Sequence, residues 1–72
     1  MAKSLEATKA CLAKNVRRVR MNTGMTQEEL AEYVGIYRTY LSRIESGQAN
    51  PSLSVIIALA IALDTSPGQL LQ

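Results

Sequence analysis

The sequence predicts a small all-α domain built from five short helices. Apolar residues recur every three or four positions along most of the chain, which is the periodicity of a helix with one buried face. No segment shows the alternation of apolar and polar residues that is typical of a half-buried strand. Glycines, prolines and hydroxyl residues interrupt the pattern at points that suit helix ends. Because 72 residues form one domain at most, we expect residues 1–72 to be a single compact domain.

The composition excludes several kinds of site. The sequence contains one cysteine, Cys11, and no histidine. We therefore expect neither an intrachain disulfide nor a zinc site of the usual ligand types. No motif that cradles phosphate and no catalytic cluster of carboxylates is recognisable. The sequence predicts a protein without metal, cofactor or enzymatic activity.

Cysteine usage and the distribution of apolar residues predict a cytoplasmic protein. A lone thiol fits a reducing compartment. Charges at Lys3, Glu6 and Lys9 interrupt the apolar core that a signal peptide needs. The longest strongly apolar run, residues 53–63, is about half as long as a bilayer span. We expect a soluble chain with no membrane partner.

The basic residues are concentrated in the first two thirds of the chain. The net charge is only +2, but Asp64 is the one charged residue after Glu45. Such asymmetry can mark a nucleic-acid-binding face, although basic residues on solvated helices are also common. The clustered cations are Lys14, Arg17, Arg18, Arg20, Arg38 and Arg43.

The first two predicted helices have clear ends. A helix over about residues 5–22 is closed by Gly24, which accepts the left-handed conformation. In TQEEL, the Thr26 hydroxyl can cap the second helix while Glu29 reaches back to the Thr26 amide. Gly35 ends this helix. The residues expected to face the core are Leu5, Leu12, Val16, Val19, Leu30, Ala31 and Val34.

Three further helices complete the predicted domain. The third ends at Gly47, Ser52 caps a fourth that runs through Leu63, and Ser66-Pro67 begins a short fifth. On the third helix, the residues expected inward are Tyr37, Leu41 and Ile44, with Tyr40 at the margin. On the fourth, they are Leu53, Ile56, Ile57, Ala60 and Leu63, with Leu59 at the border.

The second and third helices meet the steric requirements of a helix-turn-helix over about residues 26–46. The small Ala31 lets the two helices approach closely, and Gly35 allows a sharp change of direction. Helix pairs joined at a glycine are also common as purely structural units. The pattern alone leaves both interpretations open.

A longer segment resembles a known family. TQEELAEYVGIYRTYLSRIESGQANPS, with NVRRVRMNTGM before it and LSVIIALAIALDTSPGQLL after it, is similar to the phage-repressor and Cro-like helix-turn-helix family of the xenobiotic-response-element type. The resemblance spans residues 12–71, and RTYLS resembles controller proteins of restriction-modification systems. It implies a five-helix lambda-repressor-like fold in a bacterial or phage-encoded transcriptional regulator, either a repressor or a controller.

The resemblance implies which side chains read DNA bases. It places the third helix in the major groove, where an arginine can bond the guanine edge and a threonine methyl can meet thymine. The alternative is that either arginine contacts phosphate alone. The implied base-contacting residues are Arg38, Thr39, Ser42 and Arg43.

The resemblance also implies contacts to the DNA backbone. Gln27 opens the second helix, where a glutamine of this family bonds a phosphate and braces the recognition helix, and helix N-termini suit anions. The loop after the third helix lacks Lys and Arg, so Arg17 and Arg18 are expected to compensate, unless they are only solvated charges. Tyr37 can offer its hydroxyl to a phosphate or pack near Tyr33. The implied phosphate-contacting residues are Arg17, Arg18, Thr26, Gln27, Tyr37, Ser46, Gln48 and Asn50.

Two further expectations concern structure and assembly. The resemblance implies a structural salt bridge between Arg20 and Glu45. The fourth helix is apolar all round, so we expect its outer side to be covered by a second copy of the chain through the dimerisation region, residues 52–72. The alternative is that a small protein simply exposes a few alkyl groups. The expected interface residues are Val55, Ala58, Ile61 and Ala62.

The predicted function is that of a homodimer that binds an inverted-repeat operator in double-stranded DNA. One alternative is an antitoxin that represses its own operon. We expect an antitoxin to carry a toxin-wrapping segment, for which a chain ending at Gln72 has no room. Another is a protein-interaction module that does not contact DNA. RNA polymerase is a further expected partner, through an acidic surface formed by Glu28, Glu29 and Glu32.

Overall fold

Five α-helices and no strand form the part of the chain that the computed structural model describes, residues 3–72. The all-α, five-helix prediction is confirmed, and the radius of gyration of 11.0 Å is that of a compact domain. Met1 and Ala2, which the predicted domain includes, lie outside the described residues. Within residues 3–72, no helix combines the length and apolar character needed to cross a bilayer. The helices are α1 (Leu5–Thr23), α2 (Gln27–Val34), α3 (Arg38–Glu45), α4 (Leu53–Ala62) and α5 (Pro67–Leu70).

The start of α2 is fixed by the capping box that TQEEL predicts. The Thr26 Oγ1 accepts a hydrogen bond of 3.1 Å from the Glu29 amide, and the Glu29 Oε1 accepts one of 2.9 Å from the Thr26 amide. Two of the amides that a helix start leaves without partners are thereby satisfied. Gly35 ends the helix with a φ of 86°, a left-handed conformation that glycine adopts without steric cost. The tight turn that follows leads directly into α3.

The core lies where α1 and α2 each pack against α3. The helix α1 also contacts α5, and α4 packs on α2 and α5. The helix α3 contributes Leu41 and Ile44, which are fully buried, so its position is set by apolar contacts on one side only. The core cluster consists of Leu12, Val16, Leu30, Ala31, Leu41, Ile44, Ala49, Leu59, Ala60, Leu63 and Leu70.

Outside α4, two residues expected in the core are exposed. Leu5 is 58% exposed because it is the first residue of α1, ahead of the core residue Leu12. Tyr37 is 84% exposed because it is the N-cap of α3, with φ −70° and ψ 144°. Helical spacing does not apply to a residue in an extended conformation. The predicted inward position of Tyr37 is therefore wrong.

The helix α4 is rotated about its axis relative to the prediction. Leu53 and Ile57, expected inward, are exposed, whereas Val55 and Ala62, expected outward, are partly buried against the core. Leu59, expected at the border, is fully buried. The outward face of α4 is consequently formed by Leu53, Ile57 and Ile61.

Asn15 links α1 to α5. Its Nδ2 donates to the carbonyl oxygens of Gln69 and Leu70, at 3.2 and 3.0 Å. These bonds satisfy carbonyl groups at the end of α5 that would otherwise lack partners. Asn15 thus holds the short last helix against α1.

Candidate nucleic-acid interface

The outward side of α3 presents the residues expected to contact bases. Because Leu41 and Ile44 face the core, the side chains of Arg38, Thr39 and Arg43 are left exposed. Ser42 is half-buried at the edge of this surface. The four side chains belong to one eight-residue helix, which has the dimensions of an element that fits the major groove.

Tyr37 lies immediately before this surface. Its side chain makes no capping hydrogen bond to α3. Both Tyr37 and Tyr33 are largely exposed, so the phenol of Tyr37 remains accessible at the helix start. This leaves its hydroxyl available to an external acceptor.

A largely buried ion pair fixes α3 to the end of α1. The Arg20 Nε and Nη2 atoms donate to the two Glu45 carboxylate oxygens, at 2.7 and 3.0 Å. Arg20 Nη1 also donates to the carbonyl oxygen of Met25 at 2.9 Å. The hydrogen bonds to Glu45 raise the pKa of Arg20 above its ordinary value. The salt bridge that the resemblance implies is therefore present in the structure.

Gln27 extends this pair to α2. Its Nε2 donates to Glu45 Oε1 at 3.1 Å. Because Gln27 is the first residue of α2 and Glu45 the last of α3, one carboxylate connects α1, α2 and α3. The resemblance implies that Gln27 braces the recognition helix as well as bonding a phosphate, and the hydrogen bond to Glu45 is such a brace. No sequence spacing indicates that Glu45 is the partner.

The ion pair forms part of the lining of a polar surface depression of about 280 Å³. Its lining brings together residues of all three helices and the first residue beyond α3: Arg17, Arg20, Gln27, Ser42, Glu45 and Ser46. Since the charge of Arg20 is balanced by Glu45, the net positive charge of this lining comes from Arg17. An anion placed here would meet one cation and several hydrogen-bond donors.

The remaining predicted phosphate contacts do not belong to this depression. Arg18 lines the adjoining groove between α1 and the end of α3 and donates from Nη2 to Asn15 Oδ1 at 3.2 Å. The Thr26 hydroxyl accepts the Glu29 amide in the capping box. Gln48 and Asn50 are exposed in the loop after α3. The predicted phosphate ligands are therefore distributed around α3 rather than gathered at one point.

The charges on α2 and α3 are segregated. Glu28, Glu29 and Glu32 are exposed on α2, whereas α3 carries no acidic residue until the buried Glu45. The hydrogen bond from the Thr26 amide is the main reason that the pKa of Glu29 is lowered. A polyanion approaching α3 thus meets arginines, while the carboxylates form a different surface.

Comparisons with known proteins agree with this geometry. The chain matches the helix-turn-helix family over residues 16–70. It is 46% identical over 63 residues to the control protein C.SmaI of Serratia marcescens, an alignment that covers 88% of this chain and 75% of the relative.

Two solved structures are also similar. The restriction-modification controller protein C.AhdI from Aeromonas hydrophila superposes with a TM-score of 0.82 at 39% identity, covering 86% of this chain and 94% of that chain. The biofilm regulator SinR, solved in complex with DNA, superposes with a TM-score of 0.80 at 34% identity, covering 85% and 98% of the respective chains. The match over residues 16–70 takes in the end of α1 and all of α2 to α5, and the chain belongs to the helix-turn-helix family.

Proposed function

We propose that this chain is a sequence-specific transcriptional regulator of the controller-protein type, acting in the cytoplasm as a homodimer on an inverted-repeat operator. The observation that carries the proposal is the exposed, acid-free outer face of α3, with Arg38 and Arg43 near its two ends. An arginine fork bonds guanine O6 and N7 in the major groove, and the methyl group of Thr39 suits thymine.

Contacts to the DNA backbone would orient α3 in the groove. Arg17, Gln27 and Ser46 line the depression beside α3, and Tyr37 is exposed at the helix start. We assign the same role to Arg18, Thr26, Gln48 and Asn50. Such contacts set register and affinity, whereas the exposed side chains of α3 set sequence preference.

The dimer would form through the outward face of α4. Leu53, Ile57 and Ile61 follow one another at intervals of four residues and are 67%, 41% and 72% exposed. They form one apolar stripe, bordered by the half-buried Ala58. The proposed interface therefore consists of Leu53, Ile57, Ala58 and Ile61. Val55 and Ala62, which the sequence predicts to be part of it, pack against the core instead. A twofold dimer formed through this stripe would place two recognition helices about 34 Å apart, one turn of B-DNA.

Contact with RNA polymerase would use a different surface. The exposed carboxylates of α2 lie on the helix before α3, and a protein bound to an operator could present them to the transcription machinery. The surface on α3 is proposed for DNA and the surface on α2 for protein.

The test is a selection from random double-stranded oligonucleotides at fixed, near-physiological salt. We expect the wild-type chain to enrich an inverted repeat. Arg38→Ala and Arg43→Ala should each lose preference at defined base pairs, by about tenfold per contact. Lys9→Ala removes one positive charge from the first half of α1 and should leave the preference unchanged.

Two other outcomes would contradict the proposal. If the wild-type chain enriches no sequence, it is not a sequence-specific regulator. If Arg38→Ala and Arg43→Ala weaken all sequences equally, these arginines contact phosphate and the bases are read elsewhere.

A further inference from the structure

The negative charge of Glu45 lies at an electrostatically unfavourable place, and the hydrogen bonds that it accepts must offset this cost. Glu45 is the last residue of α3, where the helix dipole opposes negative charge, and its side chain is only 4% exposed. It accepts two hydrogen bonds from Arg20 and one from Gln27. The guanidinium and the amide of Gln27 together satisfy the buried charge.

This arrangement determines which way the Gln27 amide faces. A carboxylate only accepts hydrogen bonds, so it attracts the amide nitrogen and repels the amide oxygen. If the amide were turned over, Gln27 Oε1 would face Glu45 Oε1 in place of Nε2, which now lies 3.1 Å away. The charge of Glu45 therefore selects one of the two orientations of the amide.

The selected orientation leaves one hydrogen of Gln27 Nε2 for another acceptor. A primary amide has two N–H donors, and Glu45 takes one of them. Gln27 also lines the depression that contains Arg17, Ser42 and Ser46. Arg17 and Ser42 can donate hydrogen bonds there, whereas the Ser46 hydroxyl donates to the Arg43 carbonyl oxygen at 3.1 Å. A phosphate oxygen accepts hydrogen bonds and carries charge, so the remaining N–H of Gln27 completes a donor set suited to it.

We propose that Glu45 is a positioning residue for DNA binding: by holding one Nε2 hydrogen of Gln27, it directs the second to a DNA phosphate in the depression. The inference rests on the proposed function and adds a role for Glu45 besides its ion pair with Arg20. Glu45 also lines the depression, but a carboxylate has no hydrogen to donate to a phosphate, so it acts through Gln27.

A double-mutant cycle separates this role from a merely structural one. The variants are Gln27→Met, which keeps the side-chain length without hydrogen-bonding groups, Glu45→Gln, which removes the charge, and the combination. The dissociation constant is measured on the selected operator at fixed salt, and thermal unfolding is measured on the same samples. We expect Gln27→Met to weaken binding by about tenfold.

The proposal predicts a coupling in DNA binding that is larger than the coupling in stability. Glu45→Gln should weaken DNA binding in the presence of Gln27 but cause no further loss in the Gln27→Met background. Its effect on stability arises mainly through Arg20 and should differ between the two backgrounds only by the single hydrogen bond from Gln27. Equal losses of DNA affinity in the two backgrounds would overturn the proposal.

A measurement on the wild-type chain covers the case in which Glu45→Gln does not fold. In ¹H–¹⁵N spectra, the pair of side-chain amide resonances that disappears in Gln27→Met belongs to Gln27. When the operator is added, we expect one of these two protons to shift downfield while the proton bonded to Glu45 stays in place. Movement of neither proton, or loss of the bonded signal, would contradict the inference while leaving DNA binding intact. If the wild-type chain binds no DNA, the proposed function fails as well, so the two failures are distinguishable.

Discussion

Arg20 and Glu45 join the last turn of α1 to the last residue of α3 through two hydrogen bonds, with side chains 12% and 4% exposed. Both ions of a pair this shielded from water lose most of their hydration. The free energy lost is recovered only through close, well-oriented hydrogen bonds between them. Removing one partner strands the other as a buried charge, so the pair is sensitive to single substitutions.

Replacing Arg20 should therefore destabilise the fold. We expect Arg20→Met to lower the free energy of unfolding by about 3 kcal/mol, because Glu45 is left without its charged partner. Urea denaturation followed by circular dichroism measures the change. The control is Arg17→Met, which alters an exposed arginine on the same helix and should cost less than about 0.5 kcal/mol. If the free energy of unfolding falls equally in the two variants, the ion pair contributes no more to stability than an exposed arginine does.

The capping box at the start of α2 should make stability depend on pH. The hydrogen bond from the Thr26 amide lowers the pKa of Glu29 in the folded chain, so the folded state favours the ionised carboxylate. Its contribution is complete above the unfolded-state pKa of about 4.5 and is lost as the pH falls through the lower folded-state value.

Thermal unfolding of Glu29→Gln and wild type from neutral pH to about pH 3 tests this prediction. We expect the wild type to be the more stable at neutral pH and the difference to shrink below pH 4.5. Glu28→Gln, which removes the same charge from an exposed neighbour outside the capping box, is the matched control. A constant difference between wild type and Glu29→Gln would contradict the assignment.

Two glycines should respond oppositely to the same substitution. Gly35 has φ 86° and open space around the missing Cβ, so Gly35→Ala meets only backbone strain, which costs about 1 kcal/mol. Gly68 is helical without a positive φ, and the nearest atom to an added Cβ lies at 3.9 Å. Gly68→Ala should stabilise the chain by about 0.5 kcal/mol. The changes in stability are measured from the denaturant midpoints of the two variants. If Gly35→Ala leaves the stability unchanged, the backbone of the turn relaxes to accommodate alanine.

The exposed stripe on α4 should control self-association. Ile61→Lys places a charge in the proposed twofold interface and should convert the dimer to a monomer in sedimentation velocity at micromolar concentration. The matched control is Met21→Lys, which introduces the same charge at an exposed apolar residue of α1 and should leave the dimer intact. Unchanged association of Ile61→Lys would rule out this interface.

The sequence predicts well the features whose causes are local. The capping box of Thr26 and Glu29 depends on residues three positions apart, and Gly35 ends α2 because the residue itself permits a left-handed backbone. The prediction that Leu41 and Ile44 face inward is correct because polar residues on the rest of α3 define its apolar side. In each case the signal lies within a few turns of helix.

Rotation of α4 could not be predicted in the same way. From Leu53 to Ala62 the helix contains no charged residue, so no polar face indicates which side meets the core. The choice depends on how Leu59 and Ala60 fit against α2 and α5, which is a tertiary property. The hydrogen bonds of Asn15 to α5 and of Gln27 to Glu45 are of the same kind, since they join residues far apart in sequence.

Within α3, the side chains that hold the helix and those proposed to read DNA are separate sets. Leu41 and Ile44 are fully buried, whereas Arg38, Thr39 and Arg43 are exposed and their replacement should change folding stability by less than about 0.5 kcal/mol. Operator preference can therefore diverge between lineages without compensating changes in the core. For the same reason, a library randomised at these three positions should consist largely of folded proteins that differ in the sequences they bind.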